Sequence, residues 1–277
     1  MHKPSALSPP LQARTATIGR QTLRYLDTGL PGAPRTLLLF NGIGASIETA
    51  ARFIAGFEHT RVIAFDAPGV GDSPAPRLPY RLRQFARLAA RLLDHLGLAA
   101  VDVFGVSWGG AAAQEFAIRY PKRCRTLTLA ATCAGFVMVP GQPGVLAKML
   151  SPKRYLDPAY LLQVGGELYG GILRLERDLL QVHADALRSP SRRGYLYQLM
   201  ALWGWTSWHR LHRVQAPTLV LMGADDPIVP PVNGRIVAAR LKRVTLETVD
   251  CGHLFVLTRP GETARRVERF MAEHPPA

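Results

Sequence analysis

The stretch Gly105-Val106-Ser107-Trp108-Gly109-Gly110 constrains this chain more than any other. It follows Val101-Asp102-Val103-Phe104, a short apolar run that reads as a buried strand. It precedes Ala111-Ala112-Ala113-Gln114-Glu115-Phe116-Ala117, which reads as a helix. A G-x-S-x-G sequence at such a junction makes a tight turn. Only small residues fit beside that turn, so Ser107 is forced out at its tip. The start of the helix offers a free backbone N–H and a positive dipole end beside the hydroxyl. A serine held this way is a candidate nucleophile.

The same strand–helix rhythm continues on both sides. Thr36–Phe40, Arg61–Asp66, Thr126–Ala130, Pro217–Met222 and Val244–Val249 read as strands, most of them apolar throughout, as burial on both faces requires. Thr15 to Leu26 suits two antiparallel strands around Gly19-Arg20. Tyr80 to Leu96 is the clearest helix. Leu82, Phe85, Leu88, Leu92 and Leu96 share one face, Arg83, Arg87 and Arg91 share another, and Gly97 stops it. Further helices are expected from Gly44 to about Phe57, from about Val232 to Leu241 and from about Pro260 to Ala272. The alternation predicts an α/β fold: a mostly parallel sheet with helices on both faces.

Between about Phe136 and Val214 no convincing strand occurs. Ser151-Pro152, Asp157-Pro158 and Ser189-Pro190 each pair an N-cap residue with proline at the first helical position. The expected organisation is a loose N-terminal tail (1–13), a core (14–135 and 215–277) and a helical cap or lid insertion (136–214). The insertion holds Trp203, Trp205, Trp208, Tyr155, Tyr160, Tyr169, Tyr195 and Tyr197. These either pack the cap onto the core or line a pocket for an apolar substrate.

Composition narrows the function classes. With 277 residues and 48% hydrophobic content, the chain can bury a large core. No run approaches the ~20 apolar residues of a membrane span. Met1 to Ala13, with Pro4, Pro9 and Pro10, lacks the apolar centre of a signal peptide. A cytoplasmic protein with no membrane span is expected. The net charge of +14 comes mainly from scattered arginines with no nucleic-acid motif, so no nucleic-acid partner is expected; the charge reads as a solvated basic surface, with attraction to an anionic surface or polymer as the alternative. Cys124, Cys133 and Cys251 are an odd set without ligand spacing, so reduced thiols are expected. The histidines and acids also lack metal-ligand spacing. Gly69-Val70-Gly71 lacks the third glycine and the helix of a phosphate loop, so neither metal nor cofactor is expected.

A serine hydroxyl needs a general base, and histidine serves best because it titrates near working pH. A carboxylate must then fix the imidazole tautomer. His253 follows the final strand, after Gly252, whose flexibility suits a loop base. The acid lies between Asp225 and Asp226, after the preceding strand. Asp225 also suits a turn carboxylate bonding its own backbone, and Asp250 is too near His253 in sequence. Serine, acid and base would stand together at the carboxyl edge of one sheet. The oxyanion donors should be the backbone N–H of Trp108 and one from the Asn41-Gly42-Ile43 turn, with Ile43 favoured.

These residues resemble the α/β-hydrolase superfamily over nearly the whole chain after the tail. More narrowly, the chain is similar to intracellular depolymerases of medium-chain-length poly(3-hydroxyalkanoate). The likeness is carried by Phe40-Asn41-Gly42-Ile43-Gly44-Ala45, Phe65 to Gly71, Val101 to Gly110, Leu129-Ala130-Ala131-Thr132, Val137-Met138-Val139-Pro140-Gly141, Gly204-Trp205-Thr206-Ser207, Pro217 to Pro230 and Gly252-His253-Leu254-Phe255. The elbow and triad are specific to the superfamily, and Asn41–Gly44, Val137–Gly141 and Gly204–Ser207 are the narrower signals. The family's G-x-x-D-P pattern falls on Asp226-Pro227, so the resemblance implies a triad of Ser107, Asp226 and His253. Asn41 departs from the His-Gly of many relatives, and Asp72 stands where the narrower family favours glycine. The resemblance implies cofactor-free ester hydrolysis on a polyester granule through an acyl-enzyme. Small esters, lactones or carbon–carbon bonds are alternative substrates on the same scaffold. A non-catalytic binding protein is the remaining alternative, and the intact serine, acid and histidine set speaks against it. Dehalogenase and epoxide-hydrolase relatives place aspartate at the elbow.

Overall fold

The computed structural model describes residues 12–30, 32–151, 153–187 and 191–275. Most of the expected tail, Pro152 and the Ser189-Pro190 pair lie outside those residues. The central sheet contains β1 (Ala13–Ile18), β2 (Gln21–Asp27), β3 (Arg35–Phe40), β4 (Thr60–Phe65), β5 (Val101–Val106), β6 (Cys124–Ala130), β7 (Thr218–Gly223) and β8 (Val244–Val249). Their spatial order is β1-β2-β4-β3-β5-β6-β7-β8. The β1–β2 and β2–β4 pairs are antiparallel, and the rest are parallel. Ala13 pairs with Leu26, so β1 begins inside the span expected to be tail.

The core strands are apolar throughout because each faces a packed layer on both sides. Along β3, Leu38 and Phe40 enter one core layer, while Leu37 and Leu39 enter the other, the alternation a pleated strand imposes. The first layer packs under α2 (Leu82–His95) and α3 (Trp108–Arg119). On α2 the arginines 83, 87 and 91 are exposed, while Leu82, Phe85 and Leu92 are buried. The second layer packs under α1 (Ala51–Ile54) and the C-terminal α11 (Pro260–Ala272), which follows α9 (Val232–Ala238) and α10 (Phe255–Thr258); Phe53, Phe57 and Phe104 meet there ring to ring. The helix expected from Gly44 to Phe57 is a 3-10 turn at Ile47–Ala50 followed by the single turn α1. Side-chain bonds shape that segment. Asn41 Nδ2 donates to the Ser46 carbonyl (2.8 Å) and Thr49 Oγ1 (3.0 Å), and Ile47 N–H donates to Asp66 Oδ1 (2.8 Å).

One polar residue interrupts the apolar run of β5. Asp102 is fully buried and accepts from Arg35 Nε (2.7 Å), Arg35 Nη2 (2.5 Å) and Thr126 Oγ1 (2.7 Å). Arg35 also donates to the carbonyls of Met271 (2.8 Å) and His274 (3.0 Å), tying α11 to the sheet. Asp102→Ala strands a buried guanidinium and should cost about 3–5 kcal/mol. Urea unfolding should show a lower midpoint with an unchanged slope.

Between β6 and β7 the described residues form α4 (Pro143–Leu150), α5 (Lys153–Leu156), α6 (Pro158–Tyr169), α7 (Arg177–Ala186) and α8 (Arg192–Leu202). Asp157 caps α6 by accepting from Tyr160 N–H. Ser191 caps α8 by accepting from Gly194 N–H, so that helix begins just beyond the Ser189-Pro190 pair. No helix of the described residues is long and apolar enough to cross a membrane. The three cysteines are free thiols; Cys124 and Cys251 are buried, and Cys133 is half-buried.

Candidate active site

Strand order reverses direction at β3: β4 lies on one side and β5 on the other. Ligands of open α/β sheets bind beyond the carboxyl ends of the strands at such a point. Ser107 follows β5 there, with φ +54° and ψ −119°, a conformation costing about 1–3 kcal/mol. Its backbone is held on all sides. Ser107 N–H donates to the Ala130 carbonyl (2.9 Å), and its own carbonyl accepts from Gly110 N–H (2.9 Å) and Thr132 Oγ1 (2.8 Å). The glycines of the motif are required by closeness. A Cβ on Gly105 would lie 2.5 Å from the Gly109 carbonyl, and one on Gly109 would strike the carbonyls of Phe40 and Asn41.

His253 and Asp226 complete a hydrogen-bonded line. His253 Nε2 lies 3.0 Å from Ser107 Oγ, and His253 Nδ1 lies 2.7 Å from Asp226 Oδ2. Asp226 Oδ1 accepts from the N–H groups of Ile228 and Val229, each at 2.9 Å, so the loop after β7 fixes the carboxylate. Asp226 and His253 are buried and Ser107 is half-buried. With Nδ1–H donating to the carboxylate, Nε2 is left to accept the serine proton.

Asp225 takes a different part from the self-bonded turn its sequence suggested. It pairs with Arg174 Nη1 and Nη2 and accepts from Gly171 N–H at 2.8 Å. The Arg174 guanidinium, then the Gly171 N–H, hold its carboxyl below the usual range. It fastens the segment after α6 to the loop carrying Asp226. Gly252 also differs from expectation: it answers a lack of space rather than supplying flexibility. A Cβ there would run into the Tyr169 carbonyl and Gly170, and His253 N–H donates to that same Tyr169 carbonyl at 2.7 Å. Gly252→Ala should push His253 off line and lower kcat by about 100-fold, the scale of a misplacement near 1 Å. Steady-state kinetics beside a urea midpoint would separate this from a loss of fold.

The Asn41–Gly44 turn faces the serine. Asn41 Oδ1 accepts from Gly42 N–H (2.9 Å), and Gln198 Oε1 of α8 accepts from Gly44 N–H (2.8 Å). Gln198 also accepts from Trp108 Nε1 through its carbonyl (2.9 Å), so one buried glutamine links both segments that carry Ile43 and Trp108. Beneath the turn, Asp66 accepts from Ile47 N–H and Arg24; burial pushes its carboxyl up to about 6 against those bonds. Gly71, at φ +52°, leaves room for that carboxylate.

Ser107 opens into two compartments. The larger, about 390 Å³, is walled by Trp108, Met138, Leu146, Leu202, Trp205 and Ile228, among others. The smaller, about 50 Å³, includes Asn41, Arg154, Tyr169, His183 and His253. The aromatics of the helical segment therefore divide. Trp205 and Tyr169 line cavities, Tyr195 and Tyr197 are buried, Trp203 is 83% exposed, and Trp208 lies under Arg240. The side chain of Tyr155 lies outside the described residues.

The ends of the helical segment are tied to the Asp226 loop, to Asn233 and to α3. Val139 and Asn233 exchange hydrogen bonds at 2.8 and 2.9 Å, and Gln142 N–H donates to the Pro227 carbonyl. In Gly-Trp-Thr-Ser, Thr206 Oγ1 donates to the Ala134 carbonyl (2.7 Å) and Ser207 Oγ to Gln114 of α3 (2.5 Å). Both stretches, Val137–Gly141 and Gly204–Ser207, thus attach the helical segment to the sheet and its helices. Gln198 and Arg174 carried no local signal, because their partners lie far off in sequence.

A serine, an imidazole and a carboxylate thus lie in one hydrogen-bonded line at the carboxyl edge of a mostly parallel sheet, with the serine on a strand–turn–helix elbow. The chain belongs to the α/β-hydrolase fold family, whose model matches residues 35–260. It is 47% identical over 267 residues to a poly(3-hydroxyalkanoate) depolymerase of Ectopseudomonas oleovorans, covering 95% of this chain and 94% of that protein. It is 27% identical over 258 residues to 3-oxoadipate enol-lactonase 2 of Acinetobacter baylyi, covering 93% and 96%. Among solved structures, the enol-lactonase of Burkholderia xenovorans LB400 superposes with a TM-score of 0.81 at 24% identity, over 93% of this chain and 99% of that one.

Proposed function

We propose that this protein is a serine hydrolase that cleaves ester bonds of medium-chain-length poly(3-hydroxyalkanoate), with residues 136–214 as a cap over the site. Ser107 Oγ attacks the ester carbonyl while His253 Nε2 takes its proton. Asp226 holds the imidazolium, and the N–H groups of Trp108 and Ile43 receive the oxyanion. The carbonyl–oxygen bond then breaks, and His253 returns the proton to the departing alkoxide. A water, deprotonated by His253, releases the acyl group from Ser107. The hydroxyacid or oligomer leaves, and no cofactor enters.

The observation that carries the substrate is the 390 Å³ apolar compartment beside Ser107, taken with the 47% identity to the depolymerase. Phe136 and Leu150 line that compartment yet are 77% and 64% exposed, so its apolar wall runs out to the surface. A water-insoluble polyester granule suits such a mouth, and association with granules inside the cell follows from this reading. A lactonase or small-ester hydrolase is the second reading, supported by the two enol-lactonase likenesses. Purified protein should release hydroxyacids from medium-chain polyester emulsions. Turnover of soluble esters or lactones alone would give the second reading.

A further inference from the structure

The smaller compartment carries two groups that the reaction leaves unused. Arg154 of α5 is 2% exposed and His183 of α7 is 7% exposed, and both line the cavity shared by Ser107 and His253. Tyrosine hydroxyls position the guanidinium: Nη1 donates to Tyr169 Oη at 2.9 Å and Nη2 to Tyr195 Oη at 3.4 Å. The Tyr195 hydroxyl gives its own proton to the Met149 carbonyl (2.5 Å), so it presents a lone pair to the arginine. His183 sits edge-on to the Tyr169 ring, with centroids 5.5 Å apart. Its buried Nδ1 has no hydrogen-bond partner among the described residues. Leaving such a nitrogen unmatched is costly, and a ligand atom that reaches it recovers that loss. Burial, and then the charge of Arg154, push the His183 imidazole down to about 4, so it is neutral near pH 7 and keeps one N–H to donate.

We propose, on the reading that Ser107 cleaves a polyester, that Arg154 and His183 bind the free carboxylate at the chain end and direct cleavage to the terminal ester. The fragment departing from a terminal ester is a 3-hydroxyacid. Its carboxylate lies four bonds from the carbonyl carbon that Ser107 attacks. At an internal ester the same position holds another, uncharged ester. A guanidinium fork and an imidazole N–H in one compartment recognise the first and gain little from the second. The 50 Å³ compartment has room for roughly three or four water-sized groups, the size of a methylene carboxylate. The carboxylate stays ionised throughout; only the alkoxide oxygen takes the proton from His253.

The test compares two soluble dimers of a medium-chain 3-hydroxyacid, one with a free carboxyl end and one capped as its methyl ester. The wild-type protein should cleave the free acid about 10- to 100-fold more efficiently, the scale of charge-assisted hydrogen bonds. In Arg154→Gln that ratio should collapse toward one. On polymer, the first product should shift from monomer to mixed oligomers. Equal wild-type rates on both dimers, or a parallel fall of both in the variant, would overturn the proposal, and the wild-type comparison needs no variant to fold. If neither dimer nor polymer is cleaved, the polyester reading fails by itself. The subsite is then judged by inhibition of a soluble p-nitrophenyl ester. The 3-hydroxydecanoate anion should inhibit at least about tenfold better than its methyl ester, and equal inhibition would overturn the subsite.

Discussion

Ser107→Ala should lower hydrolysis of any ester substrate by about 10⁵-fold, leaving the residual rate that an oxyanion site and binding alone provide. The fold should survive. Alanine must adopt φ near +54° at this position, and the chain already holds Ala131 at φ +46°. The bonds that secure the elbow come from the Ser107 backbone, to Ala130, Gly110 and Thr132, and the substitution keeps them. The hydroxyl gives up one hydrogen bond, to His253 Nε2, which keeps its Asp226 bond at Nδ1. A stability change within about 1 kcal/mol follows. Single-turnover kinetics and a thermal melt on the same preparation decide it. A kcat within tenfold of wild type would place the nucleophile elsewhere. Loss of activity together with loss of fold would leave catalysis to be judged from covalent labelling of Ser107 in the intact protein.

Much of this frame is legible in sequence because it depends on short-range patterns. Strand β8 and helix α11 fall on Val244–Val249 and Pro260–Ala272, the bounds that the strand–helix rhythm of the sequence gives. Ser107, the Asp225-Asp226 pair and His253 are legible because a tight small-residue turn and two strand ends mark them. What fails is whatever depends on distant partners. The segment after Gly44 breaks into a 3-10 turn because Asn41, Thr49 and Asp66 bond across it, and helical periodicity contains no trace of those bonds. Asp225 reads as a turn residue, since Arg174 lies 51 positions away. Gly252 reads as a source of freedom, whereas Tyr169 and Gly170 crowd it from another element. Arg154 and His183 are ordinary residues of helices α5 and α7 until the fold brings both into one cavity with Ser107.

Asp226→Asn should lower kcat by about 10⁴-fold with little change in KM, and the reason is a tautomer. Asp226 has two tasks, one for each oxygen. Oδ1 accepts from the N–H groups of Ile228 and Val229, and Oδ2 lies 2.7 Å from His253 Nδ1. Asparagine can keep the first task with its carbonyl oxygen, which leaves its NH2 group facing His253. An NH2 group donates, so Nδ1 must become the acceptor and the imidazole proton must move to Nε2. Nε2 then points a proton at Ser107 Oγ and can no longer accept one, and the nucleophile loses its base. The imidazole itself need not move, because His253 N–H remains on the Tyr169 carbonyl. Ground-state binding should therefore survive while the chemical step fails, a loss in kcat rather than in KM. Asp226→Ala differs in kind: it also frees the Ile228 and Val229 N–H groups, loosening the loop that receives Gln142 and the Val137–Gly141 segment, and it should lower the melting temperature as well. Asp225→Asn serves as the comparison, since that residue touches Arg174 and Gly171 and not the imidazole. A hundredfold or larger fall in kcat for Asp225→Asn, with Asp226→Asn close to wild type, would reverse the assignment of the acid.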